Sequence, residues 1–269
     1  MNAFEQFIAV IAMPFGSGDS VQPYGAFHLT SFAVAVIAAI LMCVFLSNVK
    51  VKTMRLILIA VGGFMVLLEV YKQLIMSFDG ASGEWRYQWS AFPFQFCATP
   101  MYAILLAGLL KGGRFRDGLI AYISTFTLAA GVCVFIFLGD VYASSLFGVC
   151  LQTTVYHGLM IVVGAWLMVW NRKRGAPLHD WIWALVAFFG FEAIALTLNV
   201  VINGALGAGT VDLYFLSVSG TSDIPVVGIL REKLPYFAYL AMYNVGFSLG
   251  AFCLYSLSIR RRRSAYSRS

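Results

Sequence analysis

The sequence is poor in charge: only 11% of its 269 residues are Asp, Glu, Lys or Arg, whereas 61% are hydrophobic. A soluble fold of this size needs more polar surface than this composition supplies. The mean hydropathy of +0.84 also shows that the chain is strongly apolar. These values exclude a soluble enzyme or a soluble binding domain and predict an integral membrane protein.

Several site signatures are also missing. The three histidines, His28, His157 and His179, are widely separated in the sequence, which is not the spacing of metal ligands, so no metal site is predicted. There is no Gly-rich phosphate loop, and no cofactor is predicted. The last apolar segment contains no lysine, which excludes the usual retinal attachment of seven-helix proteins.

Long apolar runs recur along nearly the whole chain. A helix needs about 20 apolar residues to cross about 30 Å of hydrocarbon at 1.5 Å per residue. Seven segments approach or exceed this length, at residues 27–47, 54–76, 92–110, 119–138, 149–170, 181–202 and 236–259. We therefore expect one all-α integral membrane domain over residues 1–269, built as a seven-transmembrane-helix bundle.

The basic residues predict the orientation of this bundle. Most of the 18 lysines and arginines fall in four clusters, at residues 50–55, 111–116, 172–174 and 260–268. With seven spans, all four clusters lie on one side of the membrane, and the positive-inside rule assigns that side to the cytoplasm. The N-terminus is then outside and the basic tail 260–269 is cytoplasmic. The net charge of +6 indicates topology and membrane lipid as the partner, not nucleic acid.

Two outer segments differ from the spans. Residues 1–23 begin with apolar side chains at helical spacing, which favours a short helix in the outer interface. The connection 203–235 is rich in Gly and Ser but contains an apolar run. This composition favours a lid or a re-entrant half-helix over a floppy loop.

The segment 92–110 has the most unusual beginning. Pro93 is expected in the first turn of its helix, and Pro100 is expected to kink or loosen the helix just past Cys97. Backbone groups freed at membrane depth have to face protein or water. This end of the segment is therefore expected to line a cavity, with Cys97 or its neighbours carrying any chemistry.

Three charged residues lie within predicted spans and away from the basic clusters. Glu69 and Lys72 are three residues apart and share a helical face. A charge inside a span costs at least about 2.5 kcal/mol on insertion scales, so this pair either neutralises itself at a packing seam or lines a polar pocket. Glu192 lies near the middle of the sixth segment, where we expect it to be protonated or hydrogen-bonded to a neighbouring helix.

Residue counts along the alternating spans place the candidate site residues in the outer half of the membrane. Cys97 and His157 are the candidate nucleophile and base, because an imidazole can take the thiol proton before the thiolate attacks an acyl carbonyl. Lys72, Gln95 or Tyr156 would donate to the oxyanion. The full set of expected substrate-binding residues is Glu69, Lys72, Gln95, His28 and Tyr156.

Two of these assignments have alternatives. His28 lies at the outer mouth of the first span, where it equally suits an interfacial anchor. Cys97 and Cys150 are both predicted near the outside, so a disulfide between them would leave no free nucleophile.

Five short motifs, taken in order, resemble a known family. They are His28-Leu29, Leu68-Glu69-Val70-Tyr71-Lys72, Phe92-Pro93-Phe94-Gln95-Phe96-Cys97, Tyr156-His157-Gly158-Leu159-Met160 and the region from Tyr214-Phe215-Leu216 to Pro235-Tyr236. They are similar to the bacterial YwaF/TP0381-type integral membrane family, which is related to the eukaryotic transmembrane protein 164 proteins. The resemblance implies a protein of the bacterial cytoplasmic (inner) membrane.

The resemblance also implies an activity. The eukaryotic relatives are regarded as phospholipid acyltransferases that use a cysteine and a histidine, and these roles map onto Cys97 and His157. The sequence departs from the family pattern where Gln95 replaces a histidine and where an Asn-Tyr pair is not cleanly present near Asp212.

Three functional hypotheses follow. The first is a membrane-embedded acyltransferase or thioesterase-like enzyme that acts on lipid through Cys97 and His157. The alternative is a transporter or a small-molecule- or lipid-binding membrane protein, in which Glu69, Lys72 and Glu192 mark a polar path. The third is a membrane scaffold or sensor whose long outer connection binds a partner.

Overall fold

The computed structural model of the chain describes residues 1–16, 21–137, 144–220 and 225–259. The basic tail 260–269, and Leu138 at the end of the fourth predicted span, lie outside these ranges. The helices are α1 (Ala3–Ala12), α2 (Ala26–Leu46), α3 (Val51–Ser77), α4 (Thr99–Leu109), α5 (Arg114–Tyr122), α6 (Leu128–Ile136), α7 (Phe147–Arg174), α8 (Leu178–Leu206), α9 (Pro225–Lys233) and α10 (Tyr236–Ser256). Two short strands, β1 (Phe78–Asp79) and β2 (Glu84–Trp85), pair as an antiparallel hairpin.

Within the described residues, six helical stretches are long and apolar enough to cross a membrane. They are α2, α3, the continuous stretch from α5 through α6, α7, α8 and α10. Each coincides with one of the seven predicted segments. The fold is therefore that of an all-α membrane protein, as the composition indicated.

The remaining predicted span, 92–110, is not one continuous helix. Its regular helix is α4, which has 11 residues and is about 16 Å long. Pro100 lies in the first turn of α4, and Pro93 lies upstream of the helix. The expectation that Pro93 begins the helix and Pro100 kinks it was wrong. A proline has no N–H and disfavours the α conformation in the residue before it, so Pro100 fits best where the helix begins.

A second local feature that the sequence pattern did not indicate joins α5 to α6. Residues Ile123–Thr127 form a π-helical turn within an otherwise continuous helix. Thr125 Oγ1 donates to Ala121 O at 2.7 Å, so its hydroxyl is used within the helix. Such bulges are frequent at functional sites, and this one lies in the fully buried centre of the bundle.

Glycines allow the central helices to approach closely. A Cβ on Gly62 of α3 would lie 2.8 Å from the backbone N of Leu105 in α4. A Cβ on Gly108 would likewise lie 2.8 Å from the backbone N of Ile59. Small residues at helix crossings are the usual means of tight packing in membranes, and here they fix α4 against α3.

The described members of the basic clusters lie at one end of the bundle. Lys173 at the end of α7 donates to Ser47 Oγ, which follows α2, at 2.6 Å. Arg55 at the start of α3 donates to Gly108 O, near the end of α4, at 2.9 Å. These contacts bring together the helix ends to which the positive-inside rule was applied.

The opposite end carries α1 and the β1–β2 hairpin. Ile8 of α1 is buried against Ile75 and Phe78, while Phe4 and Phe7 on the other face are exposed. Tyr71 OH donates to Ile11 O at 2.6 Å and ties α1 to α3. The short N-terminal helix thus lies across the ends of the long helices with an apolar face uncovered.

The connection between α8 and α10 is packed into the protein where it is described. Asn199 accepts from Leu213 N at 2.8 Å and donates to Leu213 O at 3.0 Å. Asn203 makes the same pair of bonds with Val211, both at 2.9 Å. These bonds place Tyr214 in the core, where it is fully buried.

Arg231 of α9 binds the same connection through its guanidinium group. It forms a 3.0 Å ion pair with Asp212 and donates to the carbonyls of Phe215 and Ser217. Burial raises the pKa of Asp212, against the opposing effects of the Ser217 N–H and of Arg231. The segment 211–217 is therefore held by side chains from both α8 and α9.

Candidate functional site

The site is built around the non-helical segment 92–98, which precedes α4. Its exposed carbonyl groups would be costly at membrane depth unless they were hydrogen-bonded. Tyr102 OH donates to Pro93 O at 2.9 Å, and Tyr156 OH donates to Ala98 O at 2.8 Å. Side chains from α4 and α7 therefore hold the irregular backbone in place.

Cys97 lies within this segment. Its side chain is partly exposed and lies within electrostatic range of Glu69 and Lys72. All five cysteines of the chain are free thiols, so the predicted alternative of a Cys97–Cys150 disulfide was wrong. Cys150 is fully buried, and its Sγ lies 3.8 Å from Ser144 O.

Glu69 and Lys72 form an ion pair between α3 side chains. Lys72 Nζ lies 2.8 Å from Glu69 Oε1, and the two side chains are 16% and 6% exposed, respectively. Gln73 donates from Nε2 to the same carboxylate oxygen at 2.8 Å and to Ala91 O at 2.6 Å. The pair thus neutralises itself, and Gln73 connects it to the chain that leads into the Cys97 segment.

His157 is held in one tautomer. Its Nδ1 lies 2.8 Å from Thr153 O, one turn earlier in α7. A carbonyl oxygen can only accept, so Nδ1 carries the hydrogen and Nε2 carries the lone pair. The ring is buried, with 5% of the residue exposed, and Nε2 has no hydrogen-bond partner among the described residues. Nε2 is therefore the ring nitrogen that can accept a hydrogen from a neighbouring donor.

Each of five candidate residues, Glu69, Lys72, Cys97, Tyr156 and His157, lies within electrostatic range of at least one other member of this set. Lys72 is within electrostatic range of both Cys97 and His157. Tyr156 is within the same range of Glu69 and Cys97. A thiol, an imidazole with a free lone pair, a phenol and an ion pair thus come from two helices, α3 and α7, and one irregular segment.

Two other candidate side chains make different contacts. Gln95 donates from Nε2 to Ser90 O at 3.3 Å, on the exposed edge of the segment. His28 is buried, with its ring 5.5 Å from that of Tyr24 and 5.8 Å from that of Phe135. The described contacts of Gln95 and His28 therefore do not lead to the Glu69–Lys72 pair.

Glu192 lies at a different helix contact, between α8 and α10. It is buried on α8, and its Oε1 accepts from Asn244 Nδ2 of α10 at 2.9 Å. Tyr243 OH, also buried and next to Asn244 on α10, has no hydrogen-bond partner among the described residues. The expectation that Glu192 hydrogen-bonds a neighbouring helix agrees with this arrangement.

Sequence reasoning missed several polar residues around Cys97. Gln73 stands four residues after Glu69, one helical turn further, and that spacing was a usable signal. Thr99, two residues after Cys97, hydrogen-bonds Tyr214, which comes from the distant 211–217 segment. No pattern in a single sequence indicates that second contact.

Among the residues that the structure describes, no three His, Cys, Asp or Glu side chains lie together in a way that could hold a metal ion. The groups present can accept and donate a proton, supply a nucleophilic thiolate and pair with a charged headgroup.

Comparison with known proteins gives one match. The model of a family described as the TMEM164 family matches residues 23–263, which is most of the chain and includes every residue of the site. Helix α1 lies outside the matched range. No curated protein and no solved structure matches the chain.

Proposed function

This chain belongs to the TMEM164 family, and we propose that it is a membrane-embedded acyltransferase or thioesterase-like enzyme that acts on lipid. One observation carries the proposal. The buried Nε2 of His157 accepts no hydrogen bond from any described residue, and Lys72 lies within electrostatic range of both this ring and the Cys97 thiol.

The proposed reaction has two balanced steps. His157 Nε2 takes the proton from Cys97 Sγ, and the thiolate attacks the ester carbonyl of a phospholipid. The C–O bond breaks, the lysolipid oxygen receives the proton from His157, and the acyl group stays on Cys97 as a thioester. A hydroxyl acceptor, or water in a thioesterase, then gives its proton to His157 and attacks the thioester, and Cys97 leaves as thiolate and is reprotonated.

The lipid substrate is inferred from the position of the site. In the proposed orientation, Glu69, Lys72 and His157 lie in the outer halves of helices that are apolar enough to span a membrane. A phosphate headgroup would accept from Lys72 in competition with the Glu69 carboxylate. The ion pair would then bind and orient the headgroup next to the thiol.

The topology is part of the same proposal. We take residues 92–110 as a seventh crossing, made of the irregular segment followed by α4, because side chains satisfy the irregular backbone. With seven crossings, the basic end of the bundle is cytoplasmic and α1 lies at the outer face. The motifs that resemble the YwaF/TP0381-type proteins favour the bacterial cytoplasmic membrane.

The transport alternative has less support. A polar path through Glu69, Lys72 and Glu192 needs these groups to face one passage. Glu69 is bonded to Lys72 and Gln73 on its own helix, whereas Glu192 is bonded to Asn244 on α10.

The experiment is acyl exchange in proteoliposomes that contain a phospholipid with an isotope-labelled acyl chain and an unlabelled lysophospholipid. We expect label transfer by the wild type and a hydroxylamine-sensitive acyl group on the Cys97 peptide. Cys97→Ala should abolish transfer, and His157→Gln should reduce it by about 10²- to 10⁴-fold, the usual contribution of a general base.

The matched control is Cys133→Ala, which removes an exposed thiol from α6 and should leave transfer unchanged. Equal transfer by Cys97→Ala and wild type, at equal amounts of folded protein, would refute the covalent step. Uptake of a solute by the wild type without acyl transfer would favour the transport alternative.

A further inference from the structure

A chain of buried hydroxyl groups ends at the carbonyl that precedes Cys97. Thr99 Oγ1 donates to Phe96 O at 3.1 Å. Tyr214 OH lies 2.7 Å from Thr99 Oγ1 and has to be the donor, because the single hydroxyl hydrogen of Thr99 is already used. Tyr122 OH lies 3.3 Å from the same Thr99 Oγ1.

The hydroxyl groups of Thr99, Tyr122 and Tyr214 lie in a part of the protein from which water is excluded. Thr99 and Tyr214 are 0% exposed and Tyr122 is 1% exposed. Hydrogen bonds in a low-dielectric interior are strong, and water cannot easily replace a lost partner there. The three hydroxyls therefore fix the orientation of the Phe96 carbonyl.

Tyr214 is placed at this position against the preference of its own backbone. Its φ of +60° is uncommon for a bulky residue, and Phe215, which follows it, has the same value. Such conformations cost on the order of 1–3 kcal/mol and persist where the surroundings impose them. Here Asn199 holds Leu213 on one side, and Arg231 binds the Phe215 carbonyl on the other.

The fixed carbonyl belongs to the Phe96–Cys97 peptide group. Because a peptide group is planar and trans, fixing the Phe96 carbonyl also fixes the direction of the Cys97 N–H. Among the backbone–backbone hydrogen bonds of the described residues, none has the Cys97 N–H as donor, and this N–H instead interacts with the thiol of the same residue. A backbone N–H next to a nucleophile is suited to stabilise the oxyanion that forms during acyl transfer.

We propose that Thr99 and Tyr214 are positioning residues, which hold the Phe96–Cys97 peptide so that the Cys97 N–H faces the developing oxyanion. This inference rests on the proposed acyl transfer. It also gives the connection between α8 and α10 a specific part in the reaction, because that connection supplies Tyr214.

The test uses Thr99→Val and Tyr214→Phe, which remove a hydroxyl at nearly constant volume. We expect kcat for acyl exchange to fall about tenfold in each, less than the 10²- to 10³-fold seen when an oxyanion donor itself is removed, with KM unchanged. Thr99→Ser should restore kcat. Tyr255→Phe is the matched control, since it removes a buried tyrosine hydrogen bond to Pro177 O at the other end of the bundle and should keep kcat.

A second measurement does not depend on turnover. The rate of Cys97 alkylation by N-ethylmaleimide, in variants whose other cysteines are alanine, should change at least about threefold in Thr99→Val and Tyr214→Phe but not in Tyr255→Phe. If the wild type transfers no acyl group while these rates change as expected, the proposed function and the oxyanion role both fail, and only the effect of Thr99 and Tyr214 on the Cys97 thiol stands.

Three results would overturn the inference. They are unchanged alkylation rates in both variants, an equal loss of kcat in Tyr255→Phe, and a rise in KM with kcat unchanged. The last result would indicate ground-state binding of substrate instead of positioning.

Discussion

Removing Lys72 from its ion pair gives a measurable prediction for both stability and substrate binding. The change is Lys72→Met, which keeps a long apolar side chain and deletes the charge. Glu69 is then left with Gln73 as its remaining described partner, in a side-chain position that is 6% exposed. An uncompensated buried carboxylate is the consequence.

The size of the effect follows from the geometry. At 2.8 Å, two unit charges attract by about 6 kcal/mol if the effective dielectric constant is about 20, and desolvation offsets part of this value. Breaking a buried ion pair by removal of one partner typically costs about 3–5 kcal/mol. Because Gln73 still donates to Glu69, we expect the free energy of unfolding to fall by about 3 kcal/mol.

The assay is steric-trap unfolding of the protein in lipid bicelles, with two further variants. Glu69→Gln combined with Lys72→Met removes both charges and should lie within about 1 kcal/mol of the wild type. Arg86→Met is the matched control, because the Arg86–Glu84 pair is 3.9 Å apart and mostly exposed, and it should cost less than about 1 kcal/mol.

The double variant also separates the two roles considered for the pair. If the pair only fixes helix packing, the double variant recovers both stability and acyl exchange. If Lys72 binds the headgroup, stability recovers while KM rises at least about tenfold. A loss below about 1 kcal/mol in Lys72→Met alone would refute the reasoning, since the pair would then not be buried in the membrane protein.

Two further predictions concern stability. Gly118→Ala should cost about 1–3 kcal/mol in unfolding free energy because its Cβ would overlap Trp183, whereas Gly190→Ala, with no atom within 4 Å of its Cβ, should cost nothing in the same unfolding assay. Hydrogen bonds from Ser82 Oγ and nearby backbone N–H groups lower the pKa of Asp79, so their stabilisation is present above the unfolded pKa and is lost as pH falls through the folded pKa. The amide-exchange protection factors of residues 78–85, which are corrected for the intrinsic pH dependence of exchange, should therefore fall on acidification in the wild type but not in Asp79→Asn.

Composition and apolar length were enough to predict the membrane class and six of the long helices. These features depend on the cost of exposing backbone and polar groups to hydrocarbon, which acts on every residue of a span. The Glu69–Lys72 ion pair follows from sequence spacing in the same way. Local rules of this kind need no knowledge of which helices touch.

The contacts that define the site could not be predicted in this way. Tyr156 bonds a carbonyl 58 positions earlier in the chain, and Tyr214 bonds Thr99 across 115 positions. Such bonds depend on which helices are neighbours, and several pairings are compatible with the same apolar pattern. His28 shows the same difficulty, because its depth suited the site but its described ring contacts are with Tyr24 and Phe135.

The missing N–H of Pro100 explains part of the arrangement around Cys97. In a regular helix, the N–H of residue 100 would donate to the carbonyl of Phe96, four residues earlier. Proline has no N–H, so that carbonyl is left open, and Thr99 Oγ1 donates to it instead. The same absence lets the helix begin at Thr99 and keeps Cys97 in irregular backbone. Pro100, three residues after Cys97, thus frees one carbonyl and thereby admits the hydroxyl chain from Tyr214.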